Sequence, residues 1–295
     1  SALSAGSAAA QTWTGATNND WTVGSNWSGG TAPTSGTNPN IVAGSTVVLG
    51  VNPGATSTTG NMNIRDVAGG TTSLTIQNGA TLTSNLNVSM GDVAGGSTNL
   101  TVTGTGSQLT TGALTVGSTG TGVVNVTDGA TLNATVRVIL GTPVGGTGTL
   151  NVRNATVMLG GFGFTISNAR GQINYDNATL RARVNTTNAS AGTAAQNNIA
   201  VGGLTIDTNG FTVLAPVGFS GVGGLTKTGD GIFSFGGAGN SYTGETAIQQ
   251  GTFRLSALAG SGNALASSSR VVDNATFDLS IVTDPNVHIQ SLAGS

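Results

Sequence analysis

The side chains able to do chemistry are few: the 295 residues include one His, one Lys and one Glu. His288 lies near Asp284, but a Ser-His-Asp relay needs a nucleophile on a sharp elbow, and no Gly-x-Ser-x-Gly occurs. In Asn-Val-His-Ile the imidazole reads as an outward strand residue. A metal site built on two histidines is impossible, and with no cysteine there is no thiolate site and no disulfide framework. Lys227 follows Thr226 and belongs to no phosphate-binding loop, so no cofactor or metal is expected. One constellation remains. Arg181 and Arg183 share a strand face by alternation, with Asp176 nearby, and acid–cation groupings of this kind serve polysaccharide lyases and hydrolases. No second carboxylate is in register with it, so the same residues read equally as solvated charges. Asn133, Asn154, Asn177 and Asn274 each open an Asn-Ala-Thr sequon, but these are copies of a longer repeat.

Any such residue would be positioned by that repeat. Leu74-Thr75-Ile76, Leu100-Thr101-Val102, Val124-Asn125-Val126 and Leu150-Asn151-Val152 follow one another at a nearly constant interval. Each is followed by a small residue, Thr or Gln, then an aliphatic: Ala80-Thr81-Leu82, Ser107-Gln108-Leu109, Ala130-Thr131-Leu132 and Ala155-Thr156-Val157. A third strand is expected at Leu86-Asn87-Val88, Leu114-Thr115-Val116, Val136-Arg137-Val138 and Phe164-Thr165-Ile166, with Met62-Asn63-Ile64 matching Leu86-Asn87-Val88 one period earlier. A fixed period of roughly 25 residues means stacked units. Alternating aliphatic and polar residues give strands with one buried face. Asn78-Gly79, Asp128-Gly129 and the Gly-Gly pairs at 69, 95 and 145 supply corners. Three short strands per unit fit an all-β fold, a three-faced parallel β-solenoid (β-helix) of about ten rungs.

The composition follows from stacking. Charged residues are 7% of the chain, against roughly 25% in ordinary soluble domains. Like charges stacked at the strand spacing would repel, whereas Thr and Asn columns do not. Glycine reaches 49 residues, as corner after corner requires positive φ. The net charge of −2 leaves no basic patch for nucleic acid, and no apolar run is long enough for a membrane-spanning helix.

Along the chain, residues 1–10 read as a signal-peptide-like or flexible segment of Ser, Ala, Leu and Gly. Residues 11–40 hold Trp13, Trp21 and Trp27 and read as an N-terminal cap; a sugar-stacking site is the alternative. Residues 41–185 are the regular solenoid, 186–200 an excursion loop, and 201–295 a continued solenoid with a bulkier core, since six of the eight Phe lie there.

The stretch Leu225-Thr226-Lys227-Thr228-Gly229-Asp230-Gly231, then Asn240-Ser241-Tyr242-Thr243-Gly244-Glu245-Thr246, then Gly251-Thr252-Phe253, resembles the autotransporter-associated β-strand repeat of bacterial passenger proteins. The likeness covers residues 224–256, with Phe253 where that family usually has Leu. Trp13-Thr14-Gly15 and Asn26-Trp27 also resemble the start of such passengers. The resemblance implies a right-handed coil, secretion to the bacterial cell surface, and a repeat tied to export and folding. The stretch after Ser256 is too short for a membrane barrel and lacks its pattern. A passenger without its barrel, or one exported by another route, is therefore expected. The function expected is that of a non-enzymatic extracellular structural or adhesive rod. Its expected contacts are with itself, end to end or laterally, or with a host, matrix or polysaccharide surface. The alternatives are a subunit of a homopolymeric filament, and a polysaccharide lyase or hydrolase.

Overall fold

The computed structural model describes residues 9–167, 169–258, 260–283 and 286–294. Most of the expected N-terminal segment, and Asp284 beside His288, lie outside the described residues. The chain winds into a parallel β-solenoid of about 12 turns, with three 3-10 turns and no longer helix among the described residues. Among the described residues every pairing between strands is parallel, to the equivalent strand one turn away, and a single antiparallel bridge joins Trp13 to Trp27. The total exceeds ten because the Trp-rich N-terminal segment also coils: Ala9–Thr12 pairs with Thr37–Ile41.

The first face carries the repeat in register. Leu74, Leu100, Val124, Leu150 and Ile173 form one inward column and are fully buried. The second face aligns Leu82, Leu109, Leu132, Val157 and Leu180 in the same way. Between these faces the corner residues Asn78, Asp128, Asn154 and Asn177 have φ of 56°, 57°, 49° and 49°. Asn and Asp tolerate this left-handed conformation better than other residues with a side chain.

The third face departs from expectation at Leu86 and Val136. Met62 pairs with Val88, not Leu86, and Leu114 pairs with both Val88 and Val138. Leu86 and Val136 therefore sit outside at the corner, 52% and 40% exposed, while Met90 and Leu140 complete the inward pairs. The backbone of the next turn packs closely on this corner. Gly112 occupies this corner one turn after Leu86, where a Cβ would lie 2.4 Å from the Leu86 carbonyl oxygen. The turn widens there, with a register shift between Thr111 and Ala113.

Residues 186–200, expected to leave the coil, keep hydrogen-bonding to it. The Leu214 amide donates to the Thr186 carbonyl, the Thr186 amide donates to that of Thr212, and the Asn188 carbonyl accepts from Phe164. Asn197–Ile199 pairs with Gly171–Asp176. The short turn Ala194–Gln196 between them is closed by a capping box of Thr193 and Gln196.

The three tryptophans are buried in a cluster at the start of the core. Trp27 meets Trp13 edge-on at 5.0 Å and Trp21 at 4.8 Å. Trp21 Nε1 donates to Ser57 Oγ (2.9 Å), and Trp27 Nε1 donates to the Trp21 carbonyl (2.9 Å). No indole face is left open to stack on a sugar.

Candidate functional site

The acid–cation grouping comes apart on the coil. Asp176 ends a first-face strand and accepts from the Gly202 amide at 2.9 Å. Arg181 lies on the second face, pairs with Asp207 (Nε to Oδ2, 3.3 Å) and donates to Asn209 at 2.9 Å. Arg183 donates to Asn133 Oδ1 at 2.9 Å. Each charge holds one turn to another. The remaining ion pairs do likewise: Arg65–Asp92, Arg153–Asp128, Arg254–Asp278 and Arg270–Glu245 all join adjacent turns. His288 lines a shallow groove with Asn263, Ala266, Val287, Ile289 and Gln290; none of these is charged. Among the described residues no group of three or more His, Cys, Asp or Glu could hold a metal ion. No helix there is long and apolar enough to cross a membrane.

The sequons are structural as well. Asn154 and Asn177 stack at the left-handed corner, Asn177 Nδ2 donating to Asn154 Oδ1 at 2.9 Å. Asn133 bridges Thr110 and Arg183.

The most unusual chemistry in the molecule is a lysine inside the core. Alternation from buried Leu225 points Lys227 inward, in register with Ile206 and Ile248 of the neighbouring turns. It is fully buried. Its Nζ donates to Thr208 Oγ1 (3.0 Å) and to the carbonyls of Thr228 (2.7 Å), Gly229 (2.6 Å) and Gln250 (2.9 Å). Three N–H groups are thus spread over four acceptors from three successive turns. Burial lowers its pKa to about 8, while Asp207 and Asp230 pull it back upward. At neutral pH the ammonium is charged, and this cradle offsets part of its desolvation.

The glycines beside it exist because the turns close tightly here. Gly229 has φ +76°, and a Cβ would lie 2.6 Å from Asp207 Oδ1; at Gly231 it would lie 2.0 Å from the Phe211 carbonyl oxygen. Thr205, Thr226 and Ala247 mark consecutive turns, each shorter along the chain than any turn of the preceding stack. Asn240 accepts from the Phe219 amide (2.5 Å) and donates to the Ala264 carbonyl. Tyr242 points inward, its hydroxyl bonded to Thr246 Oγ1, which in turn meets Ser268 Oγ at 2.9 Å. Burial pushes the Tyr242 phenol well above the usual range.

Lys227, Gly229, Gly231, Asn240, Tyr242 and Thr246 thus each have a core or corner role. Residues 225–255 match the model of the passenger-associated transport repeat. No curated protein and no solved structure matches the chain. The transport repeat occupies whole turns of the same coil as the preceding stack, sharing the second face with it through Leu204–Asp207. The motif pointed to Lys227 as a family residue but not to its buried cradle. The signal was present in the phase of Leu225-Thr226-Lys227, which makes Lys227 the inward partner of Leu225.

Outside, the coil presents ordered polar columns. Thr71, Ser97, Thr121 and Thr147 align on the first face, and so do Thr75, Thr101, Asn125 and Asn151. The Asn residues are linked: Asn151 Nδ2 donates to Asn125 Oδ1 (2.9 Å) and Asn174 Nδ2 to Asn151 Oδ1 (2.8 Å). On the second face Thr131, Thr156, Thr179, Thr205 and Thr226 continue in register.

Proposed function

We propose that the chain is a non-enzymatic adhesive rod of the bacterial cell exterior, built like an autotransporter passenger. The observation that carries this reading is the transport repeat at 225–255, set in register within a β-solenoid. Two further features support it. The candidate catalytic charges are engaged in bonds between turns, and the outer faces repeat the same polar side chains turn after turn. Such a surface holds a partner by many weak contacts in parallel rather than in a pocket. End-to-end polymerisation, the other reading open from the sequence, needs an uncovered first turn. The Trp13–Trp21–Trp27 cluster fills the interior at that end with bulky side chains unlike those of the later turns, which favours a closed end and the single rod.

The test is made on intact producing cells. The rod should be reached by external protease or antibody, and its deletion should lower attachment to surfaces. Retention of the protein inside the cell would overturn the reading. So would cleavage of a polysaccharide by the purified chain that is lost in Asp176→Asn or Arg181→Ala.

A further inference from the structure

We propose that the outer side of the first face, between Thr71 and Asn151, is an ice-binding surface. Four strands build it: Thr71–Ile76, Ser97–Thr103, Thr121–Thr127 and Thr147–Arg153. They pair over their shared length with no register shift, whereas pairing elsewhere on the coil is broken between Thr111 and Ala113 and between Ala215 and Val217. Every second residue points outward. The outward side chains therefore form a two-dimensional lattice, spaced about 4.8 Å between strands and about 6.6–6.8 Å along each strand. The alternate residues are buried: Thr72, Thr98, Gly122 and Gly148 at the start of the strands, then aliphatics such as Leu74, Leu100, Val124 and Leu150, so the lattice stands on a packed backing.

The side chains on this lattice are Thr, Ser, Asn and one Val, with no charge among them. Charges begin only at its margin, with Asp128 and Arg153. The hydroxyls of Thr71, Thr75, Thr101, Thr121, Thr147 and Thr149 make no hydrogen bond within the protein among the described residues. Each is a free donor and acceptor beside a methyl group. The margin is held in place, with Thr127 Oγ1 bonded to Thr103 Oγ1 (2.9 Å) and Asn151 to Asn125.

The chemistry of this face selects the partner. A charged polymer would find no counter-charge. A sugar surface would find no ring to stack on, because no aromatic residue occurs between Trp27 and Phe162. What fits is an uncharged solid that repeats donors and acceptors in two dimensions at similar spacings, which is the oxygen lattice of ice. Bound waters held in rows by the hydroxyls, with the methyls excluding mobile water between them, would join the face to that lattice. Each contact is weak, but they are made together because both surfaces are rigid and periodic.

This inference rests on the adhesive-rod reading for its setting and supplies the partner. It is tested on the purified chain by ice-crystal shaping and by the gap between freezing and melting temperatures. The wild type should shape crystals and open a gap beyond that of an inert protein at equal concentration. Thr101→Lys and Thr121→Lys, on the two inner strands of the lattice, should lose most of it while keeping the wild-type β-sheet circular dichroism and thermal midpoint. Thr179→Lys on the second face should keep it. Absence of shaping by the folded wild type, survival of the gap in both central variants, or equal loss in Thr179→Lys would each overturn the proposal. Binding to an insoluble polysaccharide without ice activity would overturn it too, while leaving the adhesive rod standing.

Discussion

The regular stack of residues 41–185 and the transport-repeat turns after 200 are the same coil held by different means. In the stack, Thr81, Gln108, Thr131, Thr156 and Thr179 mark successive turns on the second face, at uneven intervals. Its core is mainly aliphatic, with Phe164 and Tyr175 towards its end and small buried hydroxyls at Thr59, Thr72, Ser84 and Thr98, while its linked polar columns of Asn and Thr lie outside. In the repeat segment the turns marked by Thr205, Thr226 and Ala247 are shorter and equal in length, and polar groups move inside: Lys227, Tyr242, Thr246 and Ser268 are all buried. Around them Phe219, Phe233, Phe235 and Phe253 pack at centroid distances of 5.2–6.0 Å. The stack is bound by non-directional burial that any aliphatic of similar size could supply. The repeat turns add directional bonds that only particular residues can make, which is why a recognisable motif survives there.

The contrast is sharpest at Lys227. Lys227→Met keeps the stem but takes away the ammonium donor from the carbonyls of Gly229 and Gln250, and one of several donors from that of Thr228. We expect a loss of about 3–5 kcal/mol, by analogy with broken buried polar pairs, read from urea unfolding. Hydrogen exchange should accelerate first between residues 204 and 255 and spare the strands at 97–153. Uniform acceleration along the chain would mean that the two regions are not distinct.

Truncations in the two cores come next. Phe253→Ala should cost about 3–5 kcal/mol and Leu132→Ala about 2–5 kcal/mol. Leu132→Met should be nearly neutral, since a volume-conserving swap costs less than about 1.5 kcal/mol. If Leu132→Met matched Lys227→Met in effect, the stack would be no more tolerant than the repeat.

Two tyrosines give a finer test. Tyr242 has hydroxyl partners, so Tyr242→Phe should cost about 1 kcal/mol. Tyr175, packed on Phe219, has a buried hydroxyl with no partner among the described residues, so Tyr175→Phe should be neutral or stabilising in the same urea titration.

The last test is a pH slope. The folded-state pKa of Lys227, about 8, lies below its unfolded value of about 10.4. Between these the unfolded chain binds more protons, so this group's contribution to stability should rise with pH through that window. Urea midpoints followed from about pH 7.5 to about pH 10.5 should show a slope in the wild type that is missing in Lys227→Met. At the opposite extreme, hydrogen bonds from Ser280 and Arg254 hold the Asp278 carboxyl at about 2. Its stabilisation is present above about pH 4 and fades as pH falls through about 2.

Much of this was legible in the residues. The period of Leu74, Leu100, Val124 and Leu150 located the first face in register, and the small-Thr-aliphatic motif located the second. Alternation fixed which side chains go in, because a one-residue slip would bury every Thr. The third face was misplaced at Leu86 and Val136. Apolar residues at a widened corner look the same in sequence as apolar residues of a strand, and only the packing of Gly112 on the Leu86 carbonyl separates them. The grouping of Asp176 with Arg181 and Arg183 was also beyond the sequence. Their closeness along the chain is cancelled by a corner that sends the acid and the two cations to different faces.

By itself the sequence determined the coil, because a strict repeat of aliphatics can be buried only by stacking equivalent strands. The tertiary structure alone decided how the turns are fastened and which side chains remain free. It drew Lys227 into a cradle of four acceptors, buried the three tryptophans against one another, and left the hydroxyls of Thr71, Thr75, Thr101, Thr121, Thr147 and Thr149 without protein partners among the described residues. These outcomes depend on which atoms meet across adjacent turns, and such contacts follow from register and turn length rather than from any one segment's composition.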